Sequence, residues 1–440
     1  MSEPVSVVGL GKLGLPLACV FATKLETIGV DVNPDVVSAV NAGQAPWSEP
    51  RLGDLLAVHG GKSLRATLEH RQAIEGTDLT FVLVATPSNP DGGFSNRVLL
   101  EALTSLGQAL RASQKPSHLF VVSSTVMPGT IERELVPAIE GASGRKAGEG
   151  FDVCYDPDFV ALGETVKGFF NPELVIIGEA SQATGERVAR VHHAVCENTP
   201  HIARMSIASA EVAKVALNAY ITLKISFANH LANVCERVPG ADVDAITQAV
   251  GTDSRISRKY FTGGMAFGGT CFPRDTFAFK KLSAAVGLES PLMDATETIN
   301  DLQNAQLFDA VHACRTGSGA VGVAGVAFRR DTPVITGSPA VELVEKLLAD
   351  RVRVIVFDPL ATELARRRFG SAIEYAESME ACLAQSEVVA VTHRSREFKH
   401  AIESYAADHP VTIVDCWRLL DPARVAPPMR VRPLGRWTRD

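Results

Sequence analysis

Through the first two hundred residues, short apolar runs alternate with stretches of helical periodicity. The runs VSVVGLG (5–11), LTFVLVATP (79–87), LFVVSST (119–125) and ELVIIGE (173–179) are rich in β-branched residues and bounded by turn formers, the pattern of buried strands. Strands alternating with helices predict a parallel sheet covered on both faces. From His201 to Val238 there is neither glycine nor proline, and Pro200 and Pro239 bracket the stretch. Within it SAEVAKVALNAYITLKISFANHLANVCERV (209–238) reads as one long, mostly apolar helix; about 30 helical residues would span roughly 45 Å. A helix apolar on several faces joins domains or packs against a partner chain. Helical character continues to about residue 310. Strand-like runs then return as AVGVAGVAF (320–328), VRVIVFDP (352–359), EVVAVTH (387–393) and PVTIVD (410–415). The fold class expected is α/β: two Rossmann-like, doubly wound parallel-sheet domains joined by a long central helix and a helical connector. The boundaries fall at 1–200, 201–315 and 316–440. The tail RVAPPMRVRPLGRWTRD, rich in proline and arginine, reads as a loosely packed end.

Composition narrows the partners. A chain of 440 residues with 46% hydrophobic content has room for two or three cored domains. A net charge of −7 gives no electrostatic footprint for nucleic acid, although a few local donors can still hold an anionic small molecule. The residues MSEPVSVVGL carry no basic n-region, so no signal peptide is expected, and no apolar run reaches the ~18 residues of a membrane span. The eight cysteines are scattered without a CxxC pair, so neither a zinc site nor a disulfide framework is expected, and the compartment expected is the reducing cytoplasm. His192 and His193, adjacent on a helix, point in different directions; they read as solvated or capping residues, and no metal site is expected.

The sharpest local signal is GLGKLG, with Gly9, Gly11 and Gly14 directly after a strand and at the head of a helix. The first glycine makes a tight turn, the second lets a pyrophosphate approach the backbone, and the third lets helix and strand pack closely. Free N–H groups at the helix start then face the phosphate. The next strand ends at Asp31, whose carboxylate can take both ribose hydroxyls and would repel a 2′-phosphate, which favours NAD over NADP.

Two further groups carry chemistry. Lys214 and Asn218 sit at i and i+4 of the long helix, among Val212, Ala213, Val215, Ala216 and Leu217. They are either a snorkelling lysine and a satisfied amide, or a cation and an amide donor presented to an oxygen that becomes negative during reaction. Cys271, in FGGTCFPRDTF, follows Gly268 and Gly269 and precedes Pro273, which suits the first turn of a helix. It is either a buried small hydrophobe or a thiol whose thiolate the helix start stabilises. Asp275, one turn on, could pair with Lys214 if the segments meet.

The segments VVGLGKLGLPLA, VDVNPD, VATP, SSTVMPGT, AKVALNAYITLKISFANHLA, FGGTCFPRD and GVAFRRDTPVITGSPA together resemble the UDP-glucose/GDP-mannose dehydrogenase family, over nearly the whole chain. The resemblance implies an NAD-dependent four-electron oxidation of a nucleotide-sugar C6 alcohol, UDP-glucose being the default substrate. Cys271 would attack the intermediate aldehyde, and a thiohemiacetal and a thioester would precede the uronate. Lys214 and Asn218 would steady the oxyanions. Asp275 would orient a water and tune Lys214, and Thr125 would hold a water near the cofactor. Asp158 would stand where a family glutamate works on the hydrolytic water. Leu13, Thr86 and Pro87 would line the cofactor with Gly9, Gly11, Gly14, Asp31 and Thr125. Phe159, Phe267, Gly268 and Arg329 would join Lys214 and Asn218 around the substrate. Arg255 would reach across a homodimer interface to the partner's sugar.

The chain departs from the family at several of these places. Asp158 is one methylene shorter than the usual glutamate, and Leu162 replaces a second glutamate outright. Thr336 and Gly337 stand where an Arg-Glu pair is common, and Ala266 and Arg274 replace a glycine and a lysine. Asp358, ending VIVFDP, mimics the ribose acid of a second Rossmann unit, yet GVAGVAF lacks a full phosphate fingerprint. A two-electron hydroxyacid dehydrogenase that leaves Cys271 idle, and a nucleotide-sugar binding protein without catalysis, remain the competing readings.

Overall fold

The computed structural model describes residues 3–89 and 91–438. The chain divides into two compact units between Val215 and Ala216. In the first unit eight strands form one sheet: β1 (Val5–Val8), β2 (Thr27–Val30), β3 (Leu64–Thr67), β4 (Leu79–Val82), β5 (Leu119–Val122), β6 (Asp152–Tyr155), β7 (Leu174–Glu179) and β8 (His201–Ser206). Their order is β3-β2-β1-β4-β5-β6-β7-β8. Strand β1 pairs in parallel with both β2 and β4, Val5 facing Thr27 and Leu79. All four residues of β1, β4 and β5 are buried, because helices cover both faces of the sheet.

Two expectations need correction here. The run ELVIIGE does not extend the parallel series: β7 is antiparallel to β6, Cys154 facing Glu179. An antiparallel neighbour needs no crossover, so the connection from Asp156 to Glu173 stays at the carboxyl edge of the sheet. Its short helix Thr165–Phe170 buries Val166 and Phe170 in the core beside the helix Gly14–Ala22. The helical connector also starts later than His201, where its boundary was expected. Residues 201–206 first form β8, fully paired with β7, and the helix runs Ile207–Cys235, 29 residues. Absence of glycine and proline permits a helix but does not exclude an edge strand.

The second unit holds the rest of that helix, the helices Val243–Gly251, Phe272–Ala285 and Pro291–Ala313, and a six-stranded parallel sheet. Its strands are β9 (Ala320–Ala324), β10 (Val354–Phe357), β11 (Glu374–Tyr375), β12 (Ser386–Val391), β13 (Thr412–Asp415) and β14 (Arg430–Pro433), in the order β11-β10-β9-β12-β13-β14. That is the doubly wound order of the first six strands of the other sheet, with the same switch point. The tail is not loose: β14 pairs with β13, Met429 and Leu434 are buried, and Trp437 N–H donates to the Ala241 carbonyl at 3.1 Å. Among the described residues no helix is long and apolar enough to cross a membrane.

Candidate active site

The carboxyl edge of the first sheet carries the glycine turn. Gly9 has φ +93°, and a Cβ there would lie 2.4 Å from the Leu83 carbonyl oxygen. A Cβ on Gly14 would lie 1.8 Å from the Gly9 oxygen, so neither position accepts a side chain. Gly11 differs: a Cβ there would meet nothing within 4 Å. The backbone is bare at that point beneath open space, a cradle suited to a pyrophosphate. No side chain caps the helix that starts at Gly14, with Leu13 at its cap, so its end is open to an anion. Asp31 is half-buried and accepts from the N–H groups of Leu10 (2.7 Å) and Asn33 (2.8 Å). A carboxylate has about four acceptor sites, so capacity remains for two ribose hydroxyls. The loops after β4 and β5 are tied together: Thr86 Oγ1 donates to the Thr125 carbonyl at 2.8 Å, and Ser124 Oγ donates to the Val84 carbonyl at 2.8 Å. Pro87 is exposed beside them. These residues fit an NAD molecule at the switch point.

Lys214 is buried, so it does not snorkel to solvent. Its ammonium donates to the Asp158 carbonyl and lies 4.5 Å from the centre of the Phe159 ring. The loop after β6 thus brings Asp158 and Phe159 to the start of the long helix. Behind it, the Asp156 carboxylate meets His192 Nε2 at 2.9 Å. Burial disfavours the charged imidazole, but the charge and hydrogen bond of Asp156 outweigh it and push the His192 pKa up to about 10. His192 is therefore neither solvated nor a cap; it is a buried ion-pair partner, and only His193 is exposed.

In the second unit Cys271 is exposed and stands at the cap position of the helix Phe272–Ala285, with Pro273 in the first turn. Of the other cysteines, five are buried and two half-buried. Burial pushes Cys19 and Cys382 up to about 12 and Cys154 up to about 11, which keeps them thiols. One turn past Cys271, Asp275 is buried; its carboxylate accepts from Asn218 Nδ2 at 2.6 Å and from Arg274 Nε at 3.1 Å.

The segment leading to Cys271 is held by side-chain amides. Asn229 accepts from Gly264 N–H (2.8 Å) and donates to the Met265 carbonyl (2.9 Å); Gln303 donates to the Gly264 carbonyl. Asn300 accepts from Phe267 N–H (2.8 Å) and donates to the Phe267 carbonyl (3.1 Å). Beyond it the backbone of Gly268 and Gly269 lies on Gly337. Gly269 N–H donates to the Gly337 carbonyl at 2.9 Å, and a Cβ on Gly268 would lie 2.1 Å from that oxygen. Gly337 has φ +65°, so glycine in place of the family's acidic residue has a backbone reason.

Sequence reasoning missed the amide set. The signal was present: Asn218, Thr222, Ser226, Asn229 and Asn233 recur at helical spacing on an apolar helix, one polar seam. It also missed Arg394 and Trp417, stacked 4.5 Å apart after β12 and β13. These lie at the carboxyl edge of the second sheet, where Arg329 and Arg330 follow β9. Asp358 is no ribose acid. Its carboxylate accepts from Val326, Ala327, Leu360 and Ala361 N–H groups at 2.8–3.0 Å and is spent. The Arg255 side chain is exposed and paired with Asp253 at 2.7 Å. Among the described residues no cluster could hold a metal ion.

Three family models match the chain in order. Those described as the NAD binding, central and UDP binding domains of the UDP-glucose/GDP-mannose dehydrogenase family cover residues 3–196, 208–302 and 322–422. The UDP-glucose 6-dehydrogenase AglM of Haloferax volcanii is 35% identical over 420 residues, 94% of this chain and 97% of that protein. The GDP-mannose 6-dehydrogenase of Azotobacter vinelandii is 33% identical over 359 residues, 80% of each chain. The solved UDP-glucose dehydrogenase of Pyrobaculum islandicum superposes with a TM-score of 0.88 at 32% identity, over 100% of this chain and 98% of that one.

Proposed function

Because the chain belongs to the UDP-glucose/GDP-mannose dehydrogenase family of NAD-dependent oxidoreductases, we propose that it oxidises the C6 alcohol of a nucleotide sugar, UDP-glucose first among candidates, to the uronate through a thioester on Cys271. The observation that carries this reading is the exposed Cys271 thiol at a helix start, on an amide-latched segment, with the Asn218–Asp275 pair one turn on. The other seven thiols are wholly or partly withdrawn from solvent.

NAD supplies the hydride acceptor for each of the two oxidations. The first removes two electrons from the alcohol and leaves an aldehyde. The Cys271 thiolate then adds to the aldehyde carbon, and the resulting oxyanion takes a proton to become a thiohemiacetal. The second oxidation makes the thioester. Water cleaves it, releasing the carboxylate and returning the thiol. In this reading Lys214 and Asn218 hold the negative oxygens, while Asp158, Thr125 and Asp275 order water. The nucleotide half belongs at the carboxyl edge of the second sheet, where Arg329 offers a cation and the matched domain is described as UDP binding.

We also infer a cytoplasmic homodimer. Tyr220, Phe227 and Val234 are exposed at seven-residue spacing on the long helix, an apolar stripe suited to a second copy, and the exposed Arg255 side chain is free of burial to cross such an interface.

The test is NADH yield at limiting UDP-glucose, with mass analysis of the product. Two NADH per sugar and a uronate from wild type, with Cys271→Ser stalled before the acid, support the thioester. One NADH and an unaffected mutant would favour a two-electron dehydrogenase. If UDP-glucose gives no NADH, the same assay on GDP-mannose separates a wrong sugar from absent catalysis.

A further inference from the structure

The start of the long helix carries a carboxylate that the reaction above does not use. Glu211 is fully buried. Its Oε2 accepts from Gly129 N–H at 2.6 Å and its Oε1 from Ile131 N–H at 3.0 Å. Both donors belong to the turn that follows β5 and Thr125. That turn is irregular: Gly129 has φ +86°, and residues Ile131–Leu135 form a π-helical turn before the α-helix Val136–Ser143. Wide turns of this kind recur at functional sites. Burying a carboxylate is costly unless donors hold it, and burial does raise the Glu211 carboxyl above the ordinary range, against the pull of its two N–H donors.

A plain helix cap would satisfy the same N–H groups, but caps come from the adjoining chain. This one comes from some 80 residues away, and it sits three residues before Lys214, on the same helical face. Lys214 donates to the Asp158 carbonyl in the loop after β6. One face of one helix therefore grips two loops, one bearing Thr125 and the other bearing Asp158 and Phe159. The Thr125 carbonyl in turn accepts from Thr86, so the grip extends to the loop after β4.

We propose that Glu211 is a positioning residue for the oxidation: it fixes the Thr125 turn against the helical face that presents Lys214. The proposal rests on the reading that Lys214 and Thr125 serve the reacting carbon.

The test compares steady-state kinetics of wild type, Glu211→Gln, Val188→Ala and Lys214→Ala. Glutamine keeps the shape but presents an NH2 to a backbone N–H. Val188 is buried in a helix of the same unit, in a core cluster separate from the one that holds Val126, Ile131 and Phe159 of the two loops, so its alanine variant reports on lost stability. The expected result is a kcat reduced about ten- to hundredfold in Glu211→Gln, the size set by a misplacement of about 1 Å, with KM for UDP-glucose within about threefold. Val188→Ala should keep kcat within about twofold. If Glu211→Gln matches Val188→Ala in kcat while Lys214→Ala is inactive, the positioning role is overturned and the catalytic reading stands. If Lys214→Ala keeps its rate, the catalytic reading itself fails. Should Glu211→Gln not accumulate folded, Glu211→Asp, which withdraws the carboxylate by one methylene, carries the same comparison.

Discussion

Two aspartates end the second strand of a Rossmann repeat in this chain, and what separates them is the acceptor capacity each has left. Asp31 spends two sites on backbone N–H groups, whereas Asp358 spends four. Asp31→Ser should therefore weaken NAD by about tenfold in KM, one lost charge-assisted bond, and narrow the preference over NADP. Asp358→Asn should leave KM for NAD alone and cost about 2–3 kcal/mol of stability, because its NH2 group must face a backbone donor. Initial rates over a range of NAD and NADP, and denaturant midpoints at constant slope, read the two effects separately. A rise in KM for NAD on changing Asp358 would contradict the assignment. Sequence shows both residues as a strand-end aspartate before a turn, and only the missing glycine fingerprint after β9 hinted at the difference. Counting backbone donors requires the fold. Gly337 is similar: as a letter it is a departure from the family, and as a backbone at φ +65° lying on Gly268 and Gly269 it is a packing requirement.

At the scale of elements, the long helix was legible from its unbroken helix-forming run, 209–238 against the observed Ile207–Cys235, but the strand before it was not. Strand β8 exists because β7 offers it an edge, which no local pattern announces. The polar seam was legible in spacing and went unread because each member alone resembles a satisfied core residue. Thr222 meets Thr276 at 2.9 Å, Ser226 donates to the Thr296 carbonyl at 3.0 Å, and Asn233 donates to Gln303 at 3.0 Å, so the seam docks two further helices. The helix Gln182–Val195 is docked differently, by the His192–Asp156 pair against the end of β6. The folded pKa of His192, about 10, lies above its ordinary 6.5. The pair's contribution to stability is therefore full below pH 6.5 and fades as pH rises towards 10. Unfolding free energies of wild type and His192→Gln should differ most near pH 6 and converge only as pH rises above about 10. A gap that stays constant with pH would mean that the imidazole is neutral in the fold.

At the scale of the whole chain, one doubly wound topology is used twice, and its two carboxyl edges are furnished differently. The first offers an open cradle at Gly11 and a half-used Asp31. The second has neither. A Cβ on Gly325, at the corresponding turn, would lie 2.5 Å from the His393 ring, and Asp358 is spent. Its edge instead carries Arg329 and Arg330 after β9 and Arg394 stacked on Trp417, and in the function proposed above it takes the diphosphate and base of the sugar nucleotide. Hydrogen exchange on the intact enzyme distinguishes the two. NAD should slow exchange at residues 9–14, 31–33, 84–87 and 124–131 and leave 325–330 unchanged. UDP should slow residues 326–330 and 392–394. It should also slow 268–271, because the Gly269 N–H is bonded to Gly337 in the loop that follows Arg329, and stiffening that loop stiffens the approach to Cys271. Protection of 325–330 by NAD would show that the second edge accepts the cofactor after all. Protection by UDP that stops short of 268–271 would leave Cys271 positioned independently of the nucleotide.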